Sequence, residues 1–464
     1  MRVPVSTKLL ERYRTSAPRY TSYPTAVDWQ KETFDPARYP DHLRASAEAS
    51  DAPLSLYVHL PFCAEMCLFC GCNVVITRKE ERVARYLDHL RLEFERVLAT
   101  GIGRRPVHQL HWGGGTPTHL SPQQLREVFG MIRSGFELTA DAEVAIEVDP
   151  RVTTAEHLQA LGELGFNRVS MGVQDFEPKV QEAVKRVQPL ELTQELVEGA
   201  RASGMGSVNL DLMYGLPHQS RKQYAATIEQ TLALRPERVA LFHYAHVPWM
   251  KKHQTALDMD AAPSSEEKLE LFADAVEAFQ DAGYVYLGLD HFALPGDELA
   301  DALAAGTLHR NFMGYTTRAG SEMLSFGVSA IGEVDGCFVQ NLHQEPEYVQ
   351  ALADGGLGTF RGHRMSDEDR LRRDVILGLM CNGRLDKAAL GQQHGIDFDA
   401  HFAAERQQLR PLAEDGLVED GADALRLTPL GQMFMRNVAV VFDTYYAARQ
   451  SAGRSGEGTF SKTL

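Results

Sequence analysis

The 464-residue sequence is poor in cysteine, with six, and in tryptophan, with three. It has no run approaching the ~20 apolar residues of a membrane span. Its first residues, Met1-Arg2-Val3-Pro4-Val5 with Lys8 and Glu11 beyond, lack the apolar core of a signal peptide. So few cysteines exclude a disulfide framework, which belongs to small secreted chains. A cytoplasmic protein with reduced thiols is expected. A basic excess is missing too, since 47 Lys and Arg stand against 63 Asp and Glu, a net charge of −16. Proteins that track nucleic-acid phosphates present a basic face or stripe, so no nucleic-acid partner is expected. At 44% hydrophobic and 24% charged residues, the composition is that of a folded protein. The length predicts two or three domains, or one large α/β barrel with an appendage.

What is present is a rhythm. Residues 1–50 are polar and punctuated by Pro and Tyr, densest at Pro18-Arg19-Tyr20-Thr21-Ser22-Tyr23-Pro24, and read as an arm without helix or strand period. From Leu54 onward, β-branched or alternating apolar runs recur at 54–60, 107–112, 143–148, 168–173, 207–213 and 238–244, with amphipathic helical patterns between them. Ser121-Pro122 reads as a cap before a first-turn proline, and Thr153 with Glu156 as a capping box. Gly165 and Gly204 stand where helices should stop. Strand–helix alternation implies parallel strands, and six such units predict a partial (β/α)6 barrel. Its chemistry belongs at the C-terminal strand ends, and all six are polar or glycine-rich. They run into His59, Gly113-Gly114-Gly115-Thr116, Glu147-Val148-Asp149, Gln174-Asp175, Asp211 and His243-Tyr244-Ala245-His246.

Beyond the sixth unit the pattern predicts a helix over 264–281, a strand over 284–289 and glycine-rich segments at 314–317 and 327–331. A helical unit opens at Ser366-Asp367-Glu368-Asp369, acidic in its first turn as the helix dipole favours. The rest reads as helices, a hairpin around Asp420-Gly421 and a last helix, a winged-helix-like order without a basic recognition stripe. The expected division is an arm at 1–50, a barrel with extensions at 51–355 and a mainly helical C-terminal domain at 356–464.

Four of the six cysteines, Cys63, Cys67, Cys70 and Cys72, fall in one ten-residue window. A zinc site pairs two close cysteines with a second, distant pair, which is missing; Cys337 and Cys381 are isolated and read as core thiols. Three thiolates on one loop suit a cubane iron–sulfur cluster with one iron left open to a small chelating ligand. Cys-x3-Cys-x2-Cys after a first strand, with Phe69 before the third cysteine, resembles the radical S-adenosylmethionine superfamily. Tyr57-Val58-His59-Leu60-Pro61-Phe62 and Cys70-Gly71-Cys72-Asn73 resemble, more narrowly, the oxygen-independent coproporphyrinogen III oxidase family. So do the 18–24 segment, Leu289-Asp290-His291-Phe292-Ala293, His309-Arg310-Asn311-Phe312, Gly314-Tyr315-Thr316-Thr317, Arg372-Arg373-Asp374-Val375-Ile376 and Phe442-Asp443-Thr444-Tyr445.

The resemblance implies an α/β radical S-adenosylmethionine barrel and a [4Fe-4S] cluster on Cys63, Cys67 and Cys70, with Cys72 as a neighbour. It further implies S-adenosylmethionine contacts, for two molecules, from Tyr57, Phe69, Gly114, Gly115, Thr116, Glu147, Gln174, Arg186, Asp211, Ala245 and Ile331. Glu147 and Asp211 suit ribose hydroxyls or an ammonium, and Arg186 suits a carboxylate. The implied substrate, coproporphyrinogen III, carries four propionates. On so acidic a chain these require a local cationic patch, for which Arg19, Arg310 and Arg318 are candidates, with Tyr20, Tyr23 and Tyr315 flanking the macrocycle. The implied reaction uses a 5′-deoxyadenosyl radical to turn two propionates into vinyl groups, giving protoporphyrinogen IX. It needs an electron donor and an acceptor, and a monomer is expected. A haem chaperone of the same superfamily is the alternative, but that branch lacks the Gly-Cys-Asn continuation and the 18–24 segment. A tRNA-modifying radical enzyme is disfavoured by the charge.

Overall fold

The computed structural model describes residues 7–13, 15–453 and 460. Positions 1–6, 14, 454–459 and 461–464 of the expected arm and C-terminal domain lie outside the described residues. Contacts group the chain into two units, each gathered from separated stretches. One comprises Gln30–Pro263 and Gly320–Arg364, the other Met1–Trp29, Ser264–Ala319 and Met365–Leu464.

The first unit holds the six expected strands: β1 (Leu54–Leu60), β2 (Val107–Gly114), β3 (Leu138–Val148), β4 (Arg168–Gln174), β5 (Ser207–Tyr214) and β6 (Arg238–His243). Each pairs in parallel with the next, through apolar rows such as Leu56↔Leu110↔Val144 and Leu210↔Val239. Every residue of β1 except Tyr57 is buried, as a parallel strand covered on both faces requires. Beyond β1 the sheet continues with Met323–Phe326, parallel to it, then with the antiparallel strands Ile331–Val334, Cys337–Asn341 and Thr359–Arg364. The α/β partial-barrel expectation is therefore met.

Helices fill the crossovers. Glu80–Leu98 buries Val83, Tyr86, Leu87, Leu90, Phe94 and Val97 along one stripe. Pro122–Arg133 starts at the expected Ser121, whose hydroxyl accepts from the Gln124 amide. The box at the helix Ala155–Leu164 lies one residue later than expected. Thr154 is the cap and His157 its partner, because the Thr153 hydroxyl is already committed to Thr118 and to the Asp149 carbonyl. A second correction concerns the arm, where Tyr39–Ala49 is a helix. Its buried face of Tyr39, Leu43, Ser46 and Ala47 is half small or polar, so its apolar period is weak in sequence.

In the second unit the predicted helix is Ser265–Asp281, with a Ser264–Glu267 capping box. The predicted strand is Val285–Gly288, which turns back antiparallel onto His291–Ala293. Ser366 and Asp369 box the helix Asp367–Asn382. The hairpin expected around Asp420 joins Val418–Asp420 to Ala424–Leu427, and Arg384–Asp386 adds a third strand. The expected last helix is instead the short helices Pro429–Met433, Met435–Ala439 and Thr444–Ser451, because Thr428 and Asp443 each cap a new start. No described helix is long and apolar enough to cross a membrane.

Candidate functional site

The cysteine loop leaves β1 through Pro61 and is closed at its base. Phe62 and Cys63 pair in parallel with Val75 and Ile76, and the Thr77 amide donates to the Cys63 carbonyl (3.0 Å). The end of β2 seals this base from the side, where the amides of Gly115 and Thr116 donate to the carbonyls of Leu60 (2.9 Å) and Phe62 (2.8 Å). A β-carbon on Gly115 would stand 2.5 Å from the Pro61 oxygen, and Gly114 takes φ +121°. Here, then, the glycine triplet serves close backbone approach rather than a mere turn.

Around this base the strand ends form one connected group. His59 is buried, and burial lowers its pKa, although a hydrogen bond to Asn73 opposes this. A neutral ring has one donor. Because the Asn73 carbonyl can only accept, Nε2 carries the proton (3.0 Å), and Nδ1 accepts from the Tyr57 hydroxyl (3.0 Å). Tyr57 stacks on His111, whose Nε2 lies 3.3 Å from Glu147. Burial opposes ionisation of Glu147, but His111 and the Gly114 amide outweigh it and hold its carboxyl below the ordinary range.

The thiols differ. Cys63 is half-buried, and burial pushes its pKa up to about 11, against a contact with the Thr116 hydroxyl at 3.4 Å. Cys70 is lowered, first by a hydrogen bond from Cys72 and further by Lys251 and His253, against its burial. The proton of that pair stays on Cys72, whose pKa rises well above its usual value. Cys67 is buried and faces two guanidinium groups, Arg151 at 3.4 Å and Arg186 at 3.7 Å. Asp149 bridges both, at 2.6 Å to Arg151 and 3.1 Å to Arg186. Burial opposes its charge, but the arginines hold its carboxyl below the ordinary range. Among the described residues, no three His, Cys, Asp or Glu side chains stand ready in ligating geometry; the three thiols are neighbours on one anchored loop.

Two buried polar atoms at this rim have no hydrogen-bond partner, Arg186 Nε and Gln174 Oε1. An unsatisfied buried group costs about 1–3 kcal/mol, so such atoms point to a ligand. The free thiols, the close glycine approach and these orphaned atoms fit a cluster with a polar organic cofactor. Arg186 was expected to meet a carboxylate, and the one it meets within the chain is Asp149.

Asp211 faces the same group. Burial first and the Glu147 charge second raise its pKa to about 7, against hydrogen bonds from Asn209 and Ser170. Because the folded-state value exceeds the ordinary one of 3.8, folding favours the proton. Stability is therefore lost as pH rises from the unfolded value through about 7. The Asp211→Asn protein should unfold at a higher temperature than the parent at pH 8, by the equivalent of roughly 1–3 kcal/mol after solvent screening. At pH 5 the gap should be smaller, and it should close as pH falls to the ordinary carboxyl value of 3.8. An equal gap at both pH values would contradict this.

The remaining candidates lie further out. Phe69 is half-buried beside Leu68, which packs with Val180, Val184, Leu216, Tyr244 and Leu257. Ala245 is exposed just past β6. Ile331 opens a strand two places from β1. In the second unit Arg310 is 6% exposed, lies 4.9 Å over the Tyr315 ring, and leaves Nε and Nη1 without hydrogen bonds. Tyr315 donates to the Met380 carbonyl (3.1 Å), Arg19 is ion-paired to Asp290, and the Arg318 amide donates to Thr316. Tyr20 and Tyr23 require a correction. Both are enclosed, with hydroxyls bonded to Asp443 and Thr444, and their rings sit in this unit's apolar core rather than on an open ligand face.

Sequence reasoning missed His111, Arg151, Ser170 and Asn209, and named Asp149 only as a strand end. Their signal was position: each lies on a strand or within three residues of its end.

Comparison with known proteins agrees with this geometry. The signature of the Radical SAM superfamily matches residues 57–231, and that of the HemN C-terminal domain matches residues 365–434. The oxygen-independent coproporphyrinogen III oxidase of Salmonella typhimurium is 43% identical over 437 residues, covering 94% of each chain. That of Pseudomonas aeruginosa is 44% identical over 439 residues, covering 94% of this chain and 95% of the relative. The solved structure of the Escherichia coli coproporphyrinogen III oxidase HemN, described as a radical SAM enzyme, superposes with a TM-score of 0.89 at 39% identity, covering 96% of this chain and all of the other. Sheet, cysteine loop and full-length similarity together show that this chain belongs to the oxygen-independent coproporphyrinogen III oxidase family of radical SAM enzymes.

Proposed function

We propose that this chain converts two propionate side chains of coproporphyrinogen III to vinyl groups without oxygen, giving protoporphyrinogen IX in porphyrin and haem biosynthesis. The observation that carries the reading is full-length similarity to enzymes of that name, joined to an anchored three-cysteine loop at the end of β1. Cys63, Cys67 and Cys70 would hold a [4Fe-4S] cluster. The backbone of Gly114, Gly115 and Thr116, with Tyr57, Phe69, Glu147, Gln174, Arg186, Asp211, Ala245 and Ile331, would hold S-adenosylmethionine in two molecules. When bound, these groups supply a 5′-deoxyadenosyl radical, the reagent that an unactivated propionate β-carbon demands and no side chain provides.

The chain's own residues bind and orient. Glu147, kept ionised by His111, and Asp211 offer acceptors to ribose hydroxyls or an ammonium. Arg151 and Arg186 counter the negative charge of a thiolate-bound cluster beside Cys67. Arg310, with unpaired N–H groups above Tyr315, is the foremost propionate contact in the second unit, with Arg19 and Arg318 beside it in role. Each conversion releases carbon dioxide, one hydrogen atom and one electron, so a separate acceptor takes the electron and a separate donor reduces the cluster. We place the enzyme in the cytoplasm as a monomer.

Anaerobic incubation of the reconstituted protein with coproporphyrinogen III, S-adenosylmethionine and dithionite tests the reading. Vinyl product and 5′-deoxyadenosine should both accumulate. 5′-Deoxyadenosine without vinyl product would refute it and leave the haem-chaperone alternative.

A further inference from the structure

The segment after β6 has entered the site so far only through Ala245 and through the charges of Lys251 and His253 near Cys70. It runs through the exposed Trp249 and Met250 into a short helical turn, Lys252–Ala256. Gln254 in that turn is 1% exposed, and both ends of its amide are hydrogen-bonded. Oε1 accepts from the Val247 amide (2.6 Å), while Nε2 donates to the carbonyls of Phe69 (3.0 Å) and Ala245 (3.2 Å). Two neighbours reach the same loop. His253 Nε2 donates to the Cys70 carbonyl (2.8 Å), and Lys251 Nζ donates to the Cys72 carbonyl (2.8 Å). Residues 251–254 thus hold the carbonyls of Phe69, Cys70 and Cys72. Below them, Leu68 and Leu257 share one apolar cluster with Tyr244.

The cysteine loop between its two-residue base strands has almost no ladder of its own, so its carbonyls need outside donors to hold one conformation. Lys251 and His253 each restrain one point of the loop. Gln254 does something different, since it ties the loop at Phe69 to the end of β6 at Ala245. Both places are candidate S-adenosylmethionine contacts. We propose that Gln254 is a positioning residue for S-adenosylmethionine, setting the separation between the cysteine loop and the β6 end so that the cofactor meets both. The inference rests on the reading of that loop as the cluster and cofactor site. A glutamine is required because only a neutral amide offers one acceptor and two donors at that reach. Glutamate would set a carboxylate against two carbonyl oxygens, and leucine would leave both carbonyls and the Val247 amide unpaired.

The test uses reconstituted full-length wild type, Gln254→Glu and Gln254→Leu. Iron per chain is measured, with S-adenosylmethionine affinity by equilibrium dialysis, the cofactor-induced change in the electron paramagnetic resonance spectrum of the reduced cluster, and KM against kcat. Both variants should keep wild-type iron, because the three thiols and the loop base are untouched. Their affinity for S-adenosylmethionine should fall roughly 10- to 100-fold, the range for loss of an outer positioning contact, with KM for that cofactor rising alongside and the spectral change weakened. Affinity within about twofold of wild type in both variants would overturn the proposal. So would a loss of iron in step with affinity, which would make Gln254 a scaffold of the cluster loop. Wild type that takes up no iron or binds no S-adenosylmethionine would refute the underlying reading instead.

Discussion

Cys67→Ser protein, reconstituted anaerobically, should lose vinyl-forming activity by well over the roughly 100-fold that removal of an outer-shell contact costs, together with most of its bound iron. Serine is nearly isosteric, but its alcohol is a poor ligand for a cluster that thiolates normally hold. The fold should survive. The two arginines facing Cys67 are held independently, Arg151 and Arg186 both by Asp149, and Arg186 also through the Gly172 carbonyl (2.7 Å). Thermal unfolding of the cluster-free proteins should therefore be nearly unchanged, separating loss of chemistry from loss of structure. Cys72→Ser is the matched control. Cys72 is exposed, its thiol shares a hydrogen bond with Cys70, and the carbonyl that Lys251 holds is kept in serine, so its replacement should leave the iron content intact. Full turnover by Cys67→Ser would remove the basis of the assigned chemistry.

The second large effect is expected where no charged or sulfur atom is involved. In Gly115→Ala the new methyl would meet the Pro61 oxygen at 2.5 Å, the Pro61 carbonyl carbon at 2.6 Å and the Phe62 oxygen at 2.8 Å. All three atoms are backbone at the base of the cysteine loop, so none can rotate away. Relief requires β2 to part from that base, stretching the bonds from Gly115 to Leu60 and from Thr116 to Phe62. Overpacking of this kind costs about 1–3 kcal/mol, and here it also displaces the Thr116 hydroxyl from Cys63. A lower melting temperature and reduced iron retention should appear together. Gly71→Ala, with nothing within 4 Å of its new methyl, should change stability by no more than about 0.5 kcal/mol. Equal behaviour of the two variants would show that the approach of β2 to the loop is not what holds the site.

Much of this molecule was legible in the sequence where the cause is local. The strand runs at 54–60 and 168–173 reappear as Leu54–Leu60 and Arg168–Gln174, because apolar runs between turn residues have few alternatives. The start at Ser121 was legible because a cap satisfies amides within three residues of itself, and those near 264 and 366 from the apolar period and an acidic first turn. The misplaced box at Thr153 shows the limit of that logic. Two adjacent threonines compete, and the loser was decided by Thr118, 35 residues away. Tyr20 and Tyr23 looked available for a ligand because their neighbours in sequence are polar. Their partners, Asp443 and Thr444, come from the far end of the chain.

The sequence by itself determined the order of parallel strands, the three-cysteine loop on the first of them and the ring of polar strand ends, since side-chain period and residue spacing are properties of short segments. Only the tertiary structure decided what those groups face. Asp149 stands between Arg151 and Arg186, His59 accepts from Tyr57 at one ring nitrogen and donates to Asn73 from the other, and Gln254 reaches Phe69 across 185 residues of chain. Such pairings depend on strand register and helix packing summed over the whole unit, which no short stretch of sequence records.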